Sequence, residues 1–372
     1  MLPAAPKTLG RLSDVFVSAL GAVTCHSNRL GFKRTKKAIV ILVDGLGSEN
    51  IRRAAGHAPF LNAALAKSKS INSVFPSTTA AAITSFGVGA RPSDHGVLGY
   101  SVFERKTQTV RNLLSGWGAD FKPENFQPLE SISADAKRQG IRSVTIGPGE
   151  YAGSGFTKLN MSDAEYLAAK TFEDRASATL SVARAKQSSL TYVYFPELDG
   201  AAHQFGADSV QWLNLIEELD LLVRNLVTEL PADVGLLLTA DHGIVDVPRD
   251  RQIMLDELEI DGLIAVTGDP RNSFLYFEPG TNIPVIQAAL ASELDGDCYV
   301  VTPQDLIEQG WLGNNVRNDE YLPDLFVISR TDVACYHRQF AKPQSLRMIG
   351  QHGSISGAEL SVPLLKFGAF AD

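Results

Sequence analysis

Three aspartates and three histidines stand at the ends of apolar runs spread over nearly the whole chain. Asp44 closes KAIVILVDG, Asp199 and His203 lie in YFPELDGAAHQFG, Asp241 and His242 close VGLLLTADHG, and His352 sits in GQHGSISG. Gathered in space, such a set suits two divalent ions, because imidazole and carboxylate are ligands that zinc, manganese and iron all accept. The first expectation is therefore a two-metal hydrolase. Asp199 and His203 are four residues apart, so a helical turn directs both to one side, where they can grip one ion. Each piece alone also has an ordinary reading: Asp/His pairs at this spacing occur on helices that bind nothing, and an Asp-His dipeptide can simply close a surface loop. The weight lies in the ensemble.

A hydroxyl nucleophile is offered by VFPSTTAAAITSF, residues 74–86. Pro76 ends a short strand, Ser77, Thr78 and Thr79 follow, and an alanine-rich helix begins at once. A hydroxyl there meets the positive end of a helix dipole and free backbone N–H groups, which favour an alkoxide and a phosphate oxygen. Plain helix capping by any of the three is the alternative. Metal ligands nearby tip the balance towards a nucleophile.

These residues need a scaffold that brings strand ends together. Short apolar runs without alternation at 38–43, 142–147, 191–195 and 235–240 read as parallel strands covered by helices. Helical patterns fall between them, at 48–55, 58–68, 78–89, 129–140, 162–187 and 208–230. Alternation of this kind defines an α/β architecture with a mostly parallel central sheet and helices on both faces, in which ligands bind beyond the carboxyl ends of the strands. Asp44, Asp199 and Asp241-His242 all fall at such ends. From 255 to 345 the texture changes to shorter strands around one helix, so a catalytic core of 1–254 plus 346–372 is expected to carry a small inserted α/β lobe. Residues 100–128 are expected to be an irregular roof over the pocket, with Tyr100, Phe103, Trp117 and Phe121 as aromatic surfaces for an organic group.

Composition narrows the function further. The 372 residues carry a formal net charge of −8 and are 44% hydrophobic, enough for a large core and unsuited to coating nucleic acid. The one short basic run, KRTKK at 33–37, reads as a solvated strand entrance. No run approaches the ~20 apolar residues of a membrane span, and the N-terminal stretch lacks the pattern of a secretory signal. Cys25, Cys298 and Cys335 are too sparse for a disulfide framework and read as buried free thiols of a cytoplasmic protein.

Taken in order, VILVDGLG, FPSTTAAAITSFGVGARPSDHG, ELDGAAHQFG, TADHG and QHGS resemble the motif set of the alkaline phosphatase superfamily, nearest to its type I phosphodiesterase / nucleotide pyrophosphatase branch. The resemblance implies an alkaline phosphatase-like fold and two divalent metal ions, zinc or alternatively manganese. It implies one ion held by Asp44, Thr79, Asp241 and His242, and another by Asp199, His203 and His352. The family pattern F-P-(T/S)-x-T implies Thr79, not Thr78, as nucleophile, and the same register places Gly89, Pro92, His95 and Gly96 on the family's G-x-x-P-x-x-H-G. His95 then fixes the loop and is not a ligand. The implied reaction is hydrolysis of a small phosphate ester or nucleotide through a phosphothreonine. Two departures stand out: Ala80-Ala81-Ala82-Ile83 replaces the F-P-N-H that usually follows the nucleophile, and the family's phosphoryl-binding Asn falls on Tyr100. A phosphomonoesterase or phosphonate hydrolase on the same core, a phosphoglycerate-mutase-like phosphotransferase and a non-catalytic metal-binding protein are the rival expectations.

Overall fold

A computed structural model describes residues 1–7 and 10–371. Five parallel strands, β1 (Lys37–Val43), β2 (Arg142–Gly147), β3 (Glu165–Ala168), β4 (Ser189–Phe195) and β5 (Val234–Thr239), form the main sheet in the order β5-β1-β4-β2-β3. A short strand, Leu365–Gly368, adds antiparallel to β5 at the edge. Every residue of β1 and β5 is buried, which is why these runs are apolar throughout and do not alternate. The sheet is the mostly parallel α/β framework expected from the alternation of runs.

The helices that matter to the site are α1 (Val15–Thr24), α2 (Thr79–Val88), α3 (Phe172–Arg184), α4 (Glu197–Phe205) and α5 (Val210–Glu229). Helix α1 has no counterpart among the expected elements; it buries Phe16, whose ring stacks on Phe86 of α2 at 4.7 Å. The expected helix over 162–187 is instead strand β3 followed by α3. Asp163 adopts a left-handed φ of 66°, and Thr171 and Asp174 form a reciprocal capping box that starts the helix at Phe172.

Strands β6 (Leu263–Asp269), β7 (Asn272–Phe277), β8 (Cys298–Val301) and β9 (Leu325–Ser329) make a second, antiparallel sheet in the order β6-β7-β9-β8. Its Phe274, Tyr276 and Phe326 share an apolar cluster with Phe75 and Ala80, so this sheet packs directly on the start of α2. The 100–128 stretch is more regular than expected, with a hairpin of Ser101–Glu104 and Thr109–Asn112 and a helical turn at Pro123–Phe126. Cys298 and Cys335 are buried with Sγ atoms 3.6 Å apart, whereas Cys25, expected to be buried, is exposed and has a left-handed backbone at the end of α1. Among the described residues no helix is long and apolar enough to cross a membrane.

Candidate active site

The three central strands β5, β1 and β4 end side by side, and each delivers an acidic residue at its carboxyl end. Asp44 follows β1 directly, Asp241 and His242 follow β5 by one residue, and β4 runs through Pro196 into α4, which carries Asp199 and His203. On α4 the four-residue spacing places His203 Nε2 3.2 Å from Asp199 Oδ2. Gly45, with a φ of 71°, turns the chain sharply after Asp44; a Cβ there would lie 2.7 Å from Ile244 and 3.2 Å from Asp199 Oδ1. The carboxylates are thus brought together by backbone packing that tolerates no side chain at the corner. His352 arrives from the far end of the chain, where Gly350–Gln351 pairs with Val245–Asp246. Ring centroids of His242 and His352 are 3.7 Å apart, and those of His203 and His352 are 5.3 Å apart.

Two groups of ligand atoms lie close enough to share an ion: Asp44, Asp241 and His242, and Asp199, His242 and His352. His242 belongs to both, while His203 joins through its contact with Asp199. His242 Nε2 is 3.4 Å from Asp44 Oδ1, 3.5 Å from Asp241 Oδ2 and 3.2 Å from Thr79 Oγ1. Thr79 opens α2, next to the free N–H groups of its first turn. All seven residues picked out as ligands or nucleophile converge on one place.

The hydrogen bonds around this cluster say what it lacks. His203 Nδ1 lies 2.7 Å from Gly350 O, His352 Nδ1 3.1 Å from Ser77 O and His242 Nδ1 3.3 Å from Gly243 O. A carbonyl only accepts, so each Nδ1 carries the hydrogen, and in the neutral ring Nε2 is left as a lone pair facing the carboxylates. Asp241 Oδ1 accepts from the N–H groups of Gly45 and His242, and Tyr194 OH donates to Asp44 Oδ2. The remaining oxygens, Asp44 Oδ1, Asp199 Oδ1 and Asp241 Oδ2, are buried without a hydrogen-bond partner among the described residues. Lone pairs pointing at lone pairs in the interior are costly, and only cations satisfy such a set. The donors present fit divalent ions.

Charge behaviour follows from the same crowding. Burial, then the charges of Asp241 and Asp199, push the Asp44 carboxyl well above the usual range, and burial also raises Asp241. For Asp199 burial acts upward too, but the His203 imidazole, itself raised against burial by Asp199, outweighs it and holds the carboxyl low. Burial and the neighbouring His242 keep His352 neutral, well below the ordinary histidine value.

A cavity of about 710 Å³ opens beside Asp44, Thr79 and Asp199. Its walls are largely apolar and aromatic, with Trp117, Tyr151, Phe156, Tyr166, Tyr192 and Tyr194; Glu150 is a charged lining residue, and among the described residues no Lys or Arg lines it. Tyr192 and Tyr194 were readable in TYVYF, since alternate residues of a strand share a face. Trp117 lines this cavity as expected of the roof, but Phe103 and Phe121 are buried in the core. Tyr100 is not among the lining residues; it is 37% exposed, and its backbone N–H donates to Asp269 Oδ2 at 3.3 Å. Asp269, at the end of β6, is a site residue that sequence reasoning missed. Its Oδ1 accepts from Thr78 Oγ1 at 3.1 Å, and burial lifts its carboxyl to about 6.

An α/β sheet with convergent Asp and His at its strand ends and a threonine at a helix start defines an alkaline phosphatase-like protein. More closely, the chain belongs to the type I phosphodiesterase / nucleotide pyrophosphatase family, which matches residues 38–355. Among solved structures it is similar to murine ectonucleotide pyrophosphatase / phosphodiesterase 5, with a TM-score of 0.70 and 20% identity over 89% of this chain and 88% of that one. An inactive threonine-to-alanine form of that mouse protein in complex with AMP gives a TM-score of 0.69 at 19% identity, over 90% of this chain and 88% of that one. An uncharacterized pyrophosphatase/phosphodiesterase of Schizosaccharomyces pombe is 25% identical over 59% of this chain and 47% of its own length. Human ectonucleotide pyrophosphatase/phosphodiesterase family member 1 is 24% identical over 68% of this chain and 27% of its own length. The chain thus spans about half, or less, of the curated relatives it matches.

Proposed function

We propose that this chain hydrolyses phosphodiesters, nucleotide esters among them, through a phosphothreonine on Thr79. The observation that carries the reading is the set of partnerless oxygens on Asp44, Asp199 and Asp241 facing the Nε2 atoms of His242 and His352, with Thr79 Oγ1 3.2 Å from His242. Asp44, Thr79, Asp241 and His242 would hold one divalent ion, zinc or manganese, and Asp199, His203 and His352 another, and ions bound there would supply Lewis-acid charge to the reacting phosphate.

The chain's own groups do the rest. Thr79 Oγ attacks phosphorus in line, the ester oxygen opposite departs, and water then cleaves the phosphothreonine to release a monoester and restore the hydroxyl. The free N–H groups of the first turn of α2 donate to the non-bridging oxygens, and the low-dielectric surroundings strengthen those bonds. The large aromatic cavity receives the organic group by burying its apolar faces. That a mouse relative is described as inactive once a threonine becomes alanine, and binds AMP in that form, supports both the nucleophile and the ligand class.

The test is to trap the intermediate. Enzyme loaded with zinc or manganese and quenched during turnover of a labelled diester is expected to carry label on Thr79. Thr79→Ala is expected to lose the label and to lower kcat by on the order of a thousandfold or more, whereas Thr78→Ala costs far less. Label on Thr78, or full activity in Thr79→Ala, overturns the assignment.

A further inference from the structure

We propose that Asp269 is a specificity-determining residue: its carboxylate, fixed beside the nucleophile loop, disfavours doubly charged phosphate monoesters and leaves singly charged diesters as the substrates. The inference rests on the reading that phosphate esters react at Thr79, and it adds a residue from the second sheet to that reading.

Thr78 holds the N-cap position of α2, with extended φ and ψ of −126° and 146°, yet its side chain makes no cap hydrogen bond. It donates instead to Asp269 Oδ1. The first N–H groups of α2 are therefore left open to phosphoryl oxygens, and a carboxylate sits one hydrogen bond from the residue that precedes Thr79. Asp269 is fixed from three sides. The Tyr100 N–H holds its second oxygen, Thr78 holds the first, and Gly353, the residue after His352, packs so closely that a Cβ there would lie 3.0 Å from Asp269 Cβ.

No guanidinium or ammonium offsets this charge. Among the described residues Asp269 has no ion pair with Arg or Lys, and Arg271, two residues along, is taken by Glu359 at 2.8 and 2.9 Å. The neighbouring cavity, which Asp269 does not line, carries Glu150 and, among the described residues, no Lys or Arg. A carboxylate hydrogen-bonded to Thr78, the residue before the nucleophile, repels each negative charge on the substrate, and buried charges are poorly screened by salt. A monoester dianion bears one more such charge than a diester. The positioning of Thr78 and the selection by charge are separable, because Thr78→Val removes the hydrogen bond and keeps the carboxylate.

The experiment compares methyl p-nitrophenyl phosphate with p-nitrophenyl phosphate at pH 8 for the metal-loaded wild type, Asp269→Asn and Thr78→Val. In Asp269→Asn the diester-to-monoester ratio of kcat/KM is expected to fall about tenfold, mainly through a gain on the monoester. In Thr78→Val both substrates are expected to lose a similar factor, with the ratio unchanged. An unchanged ratio in Asp269→Asn, with both substrates reduced alike, overturns the proposal and leaves Asp269 a purely structural residue. Calorimetry on the wild type supplies a measurement that needs no variant and no turnover: monomethyl phenylphosphonate, a monoanion, is expected to bind more tightly than phenylphosphonate dianion, and the reverse order overturns the proposal. A wild type that cleaves neither ester but keeps this binding order sinks the phosphoester-hydrolase reading alone.

Discussion

The buried polar groups around His95 and Arg271 and the more open cluster at the strand ends differ in how completely they are satisfied. Around His95 every polar atom is matched: Nε2 meets Ser85 Oγ at 2.9 Å and Nδ1 accepts the Val97 N–H at 3.1 Å. Arg271 and Glu359 are likewise closed, with two bonds to each other, two from Arg271 to the carbonyls of Thr331 and Val333, and Ser354 N–H on Glu359. At the ends of β5, β1 and β4, by contrast, three carboxylate oxygens have no hydrogen-bond partner among the described residues. Folding closes most buried hydrogen bonds; elsewhere the buried atoms left open belong to hydroxyls, amides and ring nitrogens, whereas open carboxylate oxygens meet in one place and mark where something else binds. The closed regions serve the fold, and the open one serves chemistry.

The difference predicts opposite outcomes for similar substitutions. Asp241→Asn keeps the oxygen that accepts from Gly45 and His242 and turns the partnerless one into a donor facing Asp44 and His242. It is expected to lower diester turnover by about a thousandfold or more, yet to raise the Tm of chelator-treated protein. The sign follows from the raised carboxyls: a group whose folded pKa is raised stabilises while protonated and loses that contribution as pH rises, so the gain is largest at neutral pH and above. A lower Tm in that variant would mean that the cluster is structural.

Arg271→Met breaks the comparison from the other side. Leaving Glu359 buried and unpaired is expected to cost about 3–5 kcal/mol of stability, read by urea unfolding, with correctly folded protein still metal-loaded. A loss under about 1 kcal/mol would place this pair with the exposed ones, such as Arg138–Glu130.

A smaller effect is expected at His95, which burial holds neutral with a pKa of about 3. The unfolded chain takes up a proton there near 6.5 and the folded chain does not, so His95 draws stability down as pH falls from about 6.5 towards 3. His95→Gln preserves hydrogen-bonding capacity without the titration, and its Tm is expected to fall less steeply than wild type across that window. Parallel Tm-pH curves would contradict the account of His95 as a neutral, fully matched group.

Much of this was legible in the chain. The central strands announce themselves because burial on both faces makes them apolar throughout, and Asp44, Asp199 and Asp241-His242 drew notice because they stand at or just past the ends of such runs. Other elements were hidden for physical reasons. Leu365–Gly368 is a short edge strand paired on one side only, and β3 is a half-exposed strand of four residues that reads as the lead-in to α3 until the Thr171–Asp174 box is noticed. Asp269 carried no signal at all: its role comes from a tertiary contact between the second sheet and Thr78, 191 residues away. Tyr100 was selected by register alone, and the molecule uses its backbone.

The central claim is that the open carboxylates and imidazoles hold two divalent ions that the reaction requires. The direct measurement is the metal content per chain by mass spectrometry, taken alongside diester turnover while the protein is stripped with a chelator and titrated back with zinc or manganese. The account predicts turnover that vanishes with the metal and returns in full as two ions bind per chain, with Asp241→Asn failing to reach two. Undiminished turnover in exhaustively stripped protein, or full activity with no ion bound, would contradict it.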